Sequence, residues 1–163
     1  SLQKAAHPGW QTAYGMLIEI EDSQGRWDNG EMSLMDYRNP WRESGQLDHH
    51  QFARFNRDVR MASSKLGTME TGTAANSMID GTGSLLLGSS ARLISEQEFD
   101  QIPSFLYVMP LSPKLLFVEE TVLVARPAVS LTHLRDRLLT RLSLMGLRPK
   151  QVLEEEKCWI QME

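Results

Sequence analysis

The sequence predicts an α+β domain: an antiparallel sheet covered by at least one helix and interrupted by a long loop insertion. Three observations predict it. Phe105 to Arg126, FLYVMPLSPKLLFVEETVLVAR, reads as two apolar strands joined by a short turn at Pro110-Leu111-Ser112-Pro113, because two prolines suit a reversal better than a strand interior. Val129 to Met145 reads as a helix, with Leu131, Leu134, Leu138, Leu142 and Met145 recurring at three- and four-residue steps. Residues 11–20 and 31–38 read as two strands around a polar segment with Asn29-Gly30, a strong reversal signal, and so as an antiparallel hairpin.

Taken in order, residues 1–9 are a loose lead-in ending at Pro8-Gly9. The strand QTAYGMLIEI and its partner EMSLMDYR follow. Residues 39–101 are then an insertion within a single domain spanning 1–163. Gln46 to Ser63 has helical potential, with Leu47, Phe52, Phe55 and Val59 on one side and Arg54, Arg57, Asp58 and Arg60 on the other. Ser63 to Ser90 is rich in Gly, Ser, Thr and Asn around one apolar knot, Leu85-Leu86-Leu87, a composition that argues loop. A long loop in a compact domain is usually functional or an interaction arm, and Phe52, Phe55, Leu85, Leu86 and Leu87 are its candidate partner-binding residues.

Ser95 to Asp100 predicts a short helix, since Ser95 and Glu98 have capping-box spacing. For the longer helix, Ser130 is a suitable N-cap and Gly146 fits the position just past the end. Arg135, Arg137 and Arg141 lie off its apolar stripe and are expected on a solvated face. Residues 148–162 hold a final strand entered through the charged run Glu154-Glu155-Glu156-Lys157.

Composition excludes several function classes. The 163 residues are 41% hydrophobic and 23% charged with net charge −4, which leaves no basic footprint for nucleic acid. A single cysteine, Cys158, excludes an internal disulfide and a cysteine-rich metal site. No apolar run approaches the ~20 residues that span a bilayer, so no transmembrane segment is expected. The first residue, Ser1, is not a methionine, as expected of a processed protein or of part of a longer one.

The chemistry concentrates in Glu119 and Glu120. Side chains alternate along a strand, so Leu115, Phe117, Glu119, Thr121 and Leu123 share one face while Leu116, Val118, Glu120, Val122 and Val124 share the other. The two glutamates therefore cannot pair in one pocket. A carboxylate on an apolar layer must be hydrogen-bonded, protonated or functional. The structural expectation is one solvated Glu and one paired with an arginine such as Arg126. Elsewhere, His49-His50 has no spaced third ligand and reads as a solvated pair; His7 and His133 are isolated, with His133 expected at the surface. Cys158 is expected as a small buried apolar group, and Trp10, Trp27, Trp41 and Trp159 as core or interface.

Several segments carry a family resemblance. Phe117-Val118-Glu119-Glu120-Thr121 resembles the FLEET-type segment of plant and cyanobacterial lycopene cyclases. Pro8-Gly9-Trp10-Gln11-Thr12-Ala13-Tyr14-Gly15, Met35-Asp36-Tyr37-Arg38, Ile102 to Pro110, Ala125-Arg126-Pro127 and Glu155 to Met162 resemble further segments of that family, in its order. The resemblance covers residues 7–38 and 102–162. It implies the antiparallel substrate-domain sheet of flavin-monooxygenase-like proteins. It also implies reduced flavin as helper and a glutamate in acid–base or cation-stabilising work, matched here by Glu119, with Asp36 a second carry-over if the chain is active. The glycine-rich flavin-binding segments of the family have no match: Gly81-Thr82-Gly83 lacks a preceding strand and a third glycine and reads as loop.

Those departures set the functional expectation. No cofactor is expected within this chain; FAD would require the unmatched segments, and carotenoid or chlorophyll are the ligands the ancestry suggests. The expectation is a non-catalytic accessory protein of the plastid, peripheral to the thylakoid, with subunits of a photosystem or light-harvesting complex as partners. The alternatives are a fragment of an active flavin-dependent lycopene cyclase and a generic α+β binding domain.

Overall fold

The computed structural model describes residues 8–27, 29–44, 54, 57, 58, 61, 92 and 94–162. Phe52, Phe55 and Leu85 to Leu87, together with His7, His49, His50 and Gly81 to Gly83, lie outside the described residues. The elements are β1 (Gly9–Ile20), β2 (Ser33–Asp36), α1 (Pro40–Ser44), α2 (Glu96–Gln101), β3 (Phe105–Ser112), β4 (Leu115–Ala125), α3 (Leu131–Leu144) and β5 (Pro149–Met162). They build a five-stranded, wholly antiparallel sheet in the order β2-β3-β4-β1-β5, with the helices on one side. The predicted α+β class is the observed one.

The expected hairpin between 11–20 and 31–38 does not form. β1 is interior, paired to β4 on one edge and β5 on the other, while β2 sits at the far edge against β3. The reason is length: twelve-residue β1 satisfies its backbone along the two long strands, whereas β2 offers four residues. Asn29-Gly30 does make a local turn. Gly30 has φ +72° and its N–H reaches the Trp27 carbonyl at 3.0 Å. Trp27 in that connection is buried in the core and anchors it there.

The β3–β4 hairpin is as predicted, but its turn is Pro113-Lys114, and Pro110 lies inside β3 opposite Leu116. The β2 ladder ends at Val108, so the outer edge of β3 at Pro110 has no strand to serve. Ser112 Oγ accepts from the Leu115 N–H at 3.1 Å and closes the turn.

One core lies between the sheet and α3. Tyr14, Met16 and Ile18 of β1, Leu116, Val118 and Val122 of β4, Leu106 and Val108 of β3 and Val152 of β5 meet Leu134, Leu138, Leu139 and Leu142 of the helix. Both predicted helix ends are observed. Ser130 Oγ accepts from His133 N–H at 3.2 Å. At the other end, Gly146 has φ +72°, its N–H donates to Ser143 and that of Leu147 to Leu142, which satisfies the last carbonyls. The capping box of α2 is complete, with Glu98 N–H to Ser95 Oγ at 3.3 Å and Ser95 N–H to Glu98 Oε2 at 3.0 Å.

The described ends of the 39–101 segment are stitched together. Asn39 Nδ2 and Arg42 Nη2 both donate to the Asp100 carboxylate, at 2.9 and 3.1 Å, and the Trp41 indole N–H donates to the Ile94 carbonyl at 3.1 Å. The intervening chain thus leaves and returns at one place.

Candidate functional site

The two faces of β4 have different fates. On the helix side, Glu120 is fully buried. It accepts from Arg141 Nε at 2.7 Å and from Ser104 Oγ at 2.5 Å, and Arg137 Nε lies 3.6 Å away. Arg141 also donates to the carbonyls of Arg38 and Ser104. Arg137 donates to the Glu98 and Phe99 carbonyls, with both guanidinium groups over the Phe99 ring at 4.3 and 5.1 Å. Two expectations are corrected here. The arginine partner of the pair is Arg141, not Arg126. Arg137 and Arg141 are buried rather than solvated, because α2 closes over the flank of α3 that the apolar stripe leaves free. The cluster is a charge-paired brace of protein groups, in which Arg137 Nε lies 3.6 Å from Glu120 without a hydrogen bond among the described residues.

Asp36 sits on the same side of the sheet as Glu120, opposite Leu106. With Arg26, Arg38, Arg141 and Met145 it lines a cavity of about 340 Å³. Its carboxylate accepts from Arg38 Nε and Nη2 at 2.9 and 2.7 Å, and these bonds hold its pKa below the usual carboxylate range. It is thus an ion-paired carboxylate, and it does not meet Glu119.

Glu119 is half-buried on the other face, where the described residues place no helix. It stands between Tyr107 on β3 and Gly15 on β1. Ala13, Leu17, Phe105, Met109 and Phe117 share that face by register and alternation. The Phe117 ring folds over Gly15, where an added Cβ would lie 2.9 Å from its Cζ, and it meets Tyr107 edge-on with centroids 6.3 Å apart. A sheet solvated on one face normally alternates apolar and polar; here both faces of β4 are apolar around the two glutamates. Burial holds the Glu119 pKa above the ordinary carboxyl range; Thr121 Oγ1, donating to Oε1 at 2.6 Å, opposes the shift, and the nearby Glu156 charge adds to it.

Sequence reasoning placed Glu119, Thr121 and Phe117 on one face but missed Gly15 and Glu156, whose relation to Glu119 depends on strand register. Other expectations shift. His133 is half-buried, with Nε2 lacking a hydrogen-bond partner among the described residues, and burial lowers its pKa. Cys158 is partly exposed, and Trp159 is exposed on edge strand β5. Among the described residues no cluster of three metal-ligating side chains occurs, and no helix is long and apolar enough to cross a membrane.

Fold and site together define an α+β sheet domain that carries one half-buried acid on an apolar sheet face which the described residues leave uncovered. Residues 88–163 match the family model described as lycopene cyclase protein, and the chain is of lycopene-cyclase type. It is 31% identical over 160 residues to a chloroplastic lycopene beta cyclase of an Oncidium hybrid cultivar, aligning 98% of this chain with 24% of that one. It is 30% identical over 154 residues to a chloroplastic neoxanthin synthase of Solanum lycopersicum, covering 94% and 21%. A chromoplastic capsanthin/capsorubin synthase of Citrus sinensis is 48% identical over 62 residues, covering 38% and 12%. The chain thus spans under a quarter of the length of these relatives. No solved structure matches.

Proposed function

We propose that this chain is the substrate-sheet region of a plastid carotenoid cyclase, and that its open face receives the end of a linear polyene beside Glu119. The carrying observation is that face: apolar around Glu119, uncovered among the described residues and holding one half-buried carboxyl. A polyene is a long hydrocarbon, which seeks a dry surface with few polar groups. A carboxyl whose pKa burial raises holds its proton more firmly than an ordinary one and is suited to donate it there. With Thr121 bonded to Oε1, Oε2 is the oxygen left to carry the proton. The step is an isomerisation. The Glu119 O–H bond breaks as a C–H bond forms at the terminal double bond, the cation closes a ring on a neighbouring double bond, and a ring proton passes to the Glu119 carboxylate as its C–H pair restores a double bond. No net oxidation occurs. Asp36, ion-paired on the far face, takes no part in it.

Relatives named as chloroplastic support a plastid location, and the likeness to the substrate sheet of flavin-monooxygenase-like proteins belongs to the same reading. A flavin, where the family binds one, would supply charge stabilisation rather than net reduction, but the described residues do not cradle one. The strand-to-helix turn from β4 to α3 is Arg126-Pro127-Ala128-Val129-Ser130, without glycine, and Ser130 already caps the helix. No step here passes through it. A non-catalytic accessory role at the thylakoid rests on the 39–101 insertion, and the acid environment of Glu119 favours the enzymatic reading over it.

The test is turnover of a linear polyene by the native protein in D2O under reducing conditions with flavin present. Expected are ring products carrying one deuterium per ring, with Glu119→Gln slowed about 100-fold or more. A Gln variant as fast as the native protein overturns the role of Glu119. Absence of turnover, with the protein co-migrating with thylakoid pigment complexes, overturns the enzyme reading in favour of the accessory one.

A further inference from the structure

Gly15 pairs with Glu119 of β4 on one side and with Glu156 of β5 on the other, so all three residues lie in one row across the open face. The Cα atoms of the two glutamates are two strand spacings apart, about 10 Å. Gly15 places no side chain between them; the space above it is filled by the edge of the Phe117 ring. Glu154, opposite Leu17, falls on the same face. The row is flanked by Gln11, Ala13 and Leu17 on β1, Thr121 on β4 and Cys158 and Ile160 on β5, so among the described residues the register sets no Lys or Arg opposite these carboxylates. Lys157, their basic neighbour in sequence, alternates to the helix side, where it approaches Glu155 at 3.8 Å.

We propose that Glu156 is the second carboxylate of the site, and that with Glu119 across the Gly15–Phe117 floor it stabilises positive charge on the apolar body held there. The inference rests on the proposed function and deepens it, since cyclisation passes through a cation on a hydrocarbon. Glu119 becomes an anion as it gives up its proton, directly beside the charge it creates. Glu156 adds a carboxylate on the opposite side of the same row. The aromatic edge over Gly15 keeps water from the Glu119 side of the row, while Glu156 acts from its solvent-exposed edge.

The occupant chemistry is thus a cationic centre on an alkyl chain, and it can be probed without turnover. The probes are octyltrimethylammonium and 1-octanol, each titrated into the chain and followed by the NMR signals of the Gly15 amide, the Phe117 ring and the Thr121 methyl. The ammonium should bind about tenfold more tightly than the alcohol. Glu156→Gln, a change on an exposed strand position, should reduce that preference about threefold while leaving octanol affinity in place. Equal affinity of the two probes at this face overturns the charge stabilisation but leaves the apolar-face reading standing. A preference unchanged in Glu156→Gln overturns the assignment of Glu156. Failure of both probes to move these signals overturns the apolar-face reading as well.

Discussion

Replacing each of the adjacent glutamates by glutamine should have unlike consequences, and the structure sets the sizes. Glu120→Gln removes the anion that compensates Arg141 at 2.7 Å and Arg137 at 3.6 Å, whose side chains are 4% and 1% exposed. Removing one partner of such a buried pair costs about 3–5 kcal/mol, because the remaining charge stays desolvated and uncompensated. Glutamine keeps the shape and one acceptor oxygen, so the lower end, about 3 kcal/mol, is expected. In a domain of this size that corresponds to a fall in Tm of about 6–12 °C. It is also a large part of the 5–15 kcal/mol that domains typically have. Glu119→Gln touches a half-buried group on the other face and should change stability at neutral pH by about 0.5 kcal/mol or less. The two differ in pH dependence as well. The Glu119 pKa is raised on folding, so the native state holds that proton longer; stability contributed by this group is lost as pH rises from the unfolded value through the folded one. Glu119→Gln should flatten that slope. The assay is urea denaturation followed by circular dichroism across this pH window, with the m-value checked for constancy. Equal losses for the two variants, or a Glu120→Gln loss under about 0.5 kcal/mol, would refute the opposite-face account.

Two further outcomes are expected. Gly15→Ala brings a Cβ to 2.9 Å from Phe117 Cζ. It should cost about 1–3 kcal/mol through displaced packing, and Phe117→Leu in the same chain should recover part of it; additive losses would argue against the contact. Burial raises the Asp136 pKa to about 6, against lowering contributions from Arg92 and Arg135. Stability from this group is therefore lost as pH rises from the ordinary carboxyl range through about 6. Asp136→Asn should gain on the order of 1–2 kcal/mol at pH 7 and little near pH 4, and a loss at pH 7 in thermal melts would contradict this.

Much of the architecture was legible because its causes are local. Two-residue alternation sends Glu119 and Glu120 to opposite faces wherever their strand is placed. Ser95 with Glu98, and Ser130 with Gly146, specify helix ends through bonds to backbone groups a few residues away. The same locality made the Asn29-Gly30 turn visible but misled about what it joins, since a turn does not decide which distant strands compete for the edges of β1.

The sequence by itself determined the α+β class, the strand–helix–strand order from residue 105 onward, the lycopene-cyclase-type segments and the presence of an acid inside an apolar strand. Only the tertiary structure decided that Glu120 is answered by Arg141 and Arg137, because α2 has to close over α3 before those arginines lose water. It alone placed Asp36 away from Glu119, and it alone set Gly15 and Glu156 beside that acid. The physical reason is that alternation and capping act over a few residues, whereas strand register and desolvation are settled collectively by segments more than a hundred residues apart in the chain.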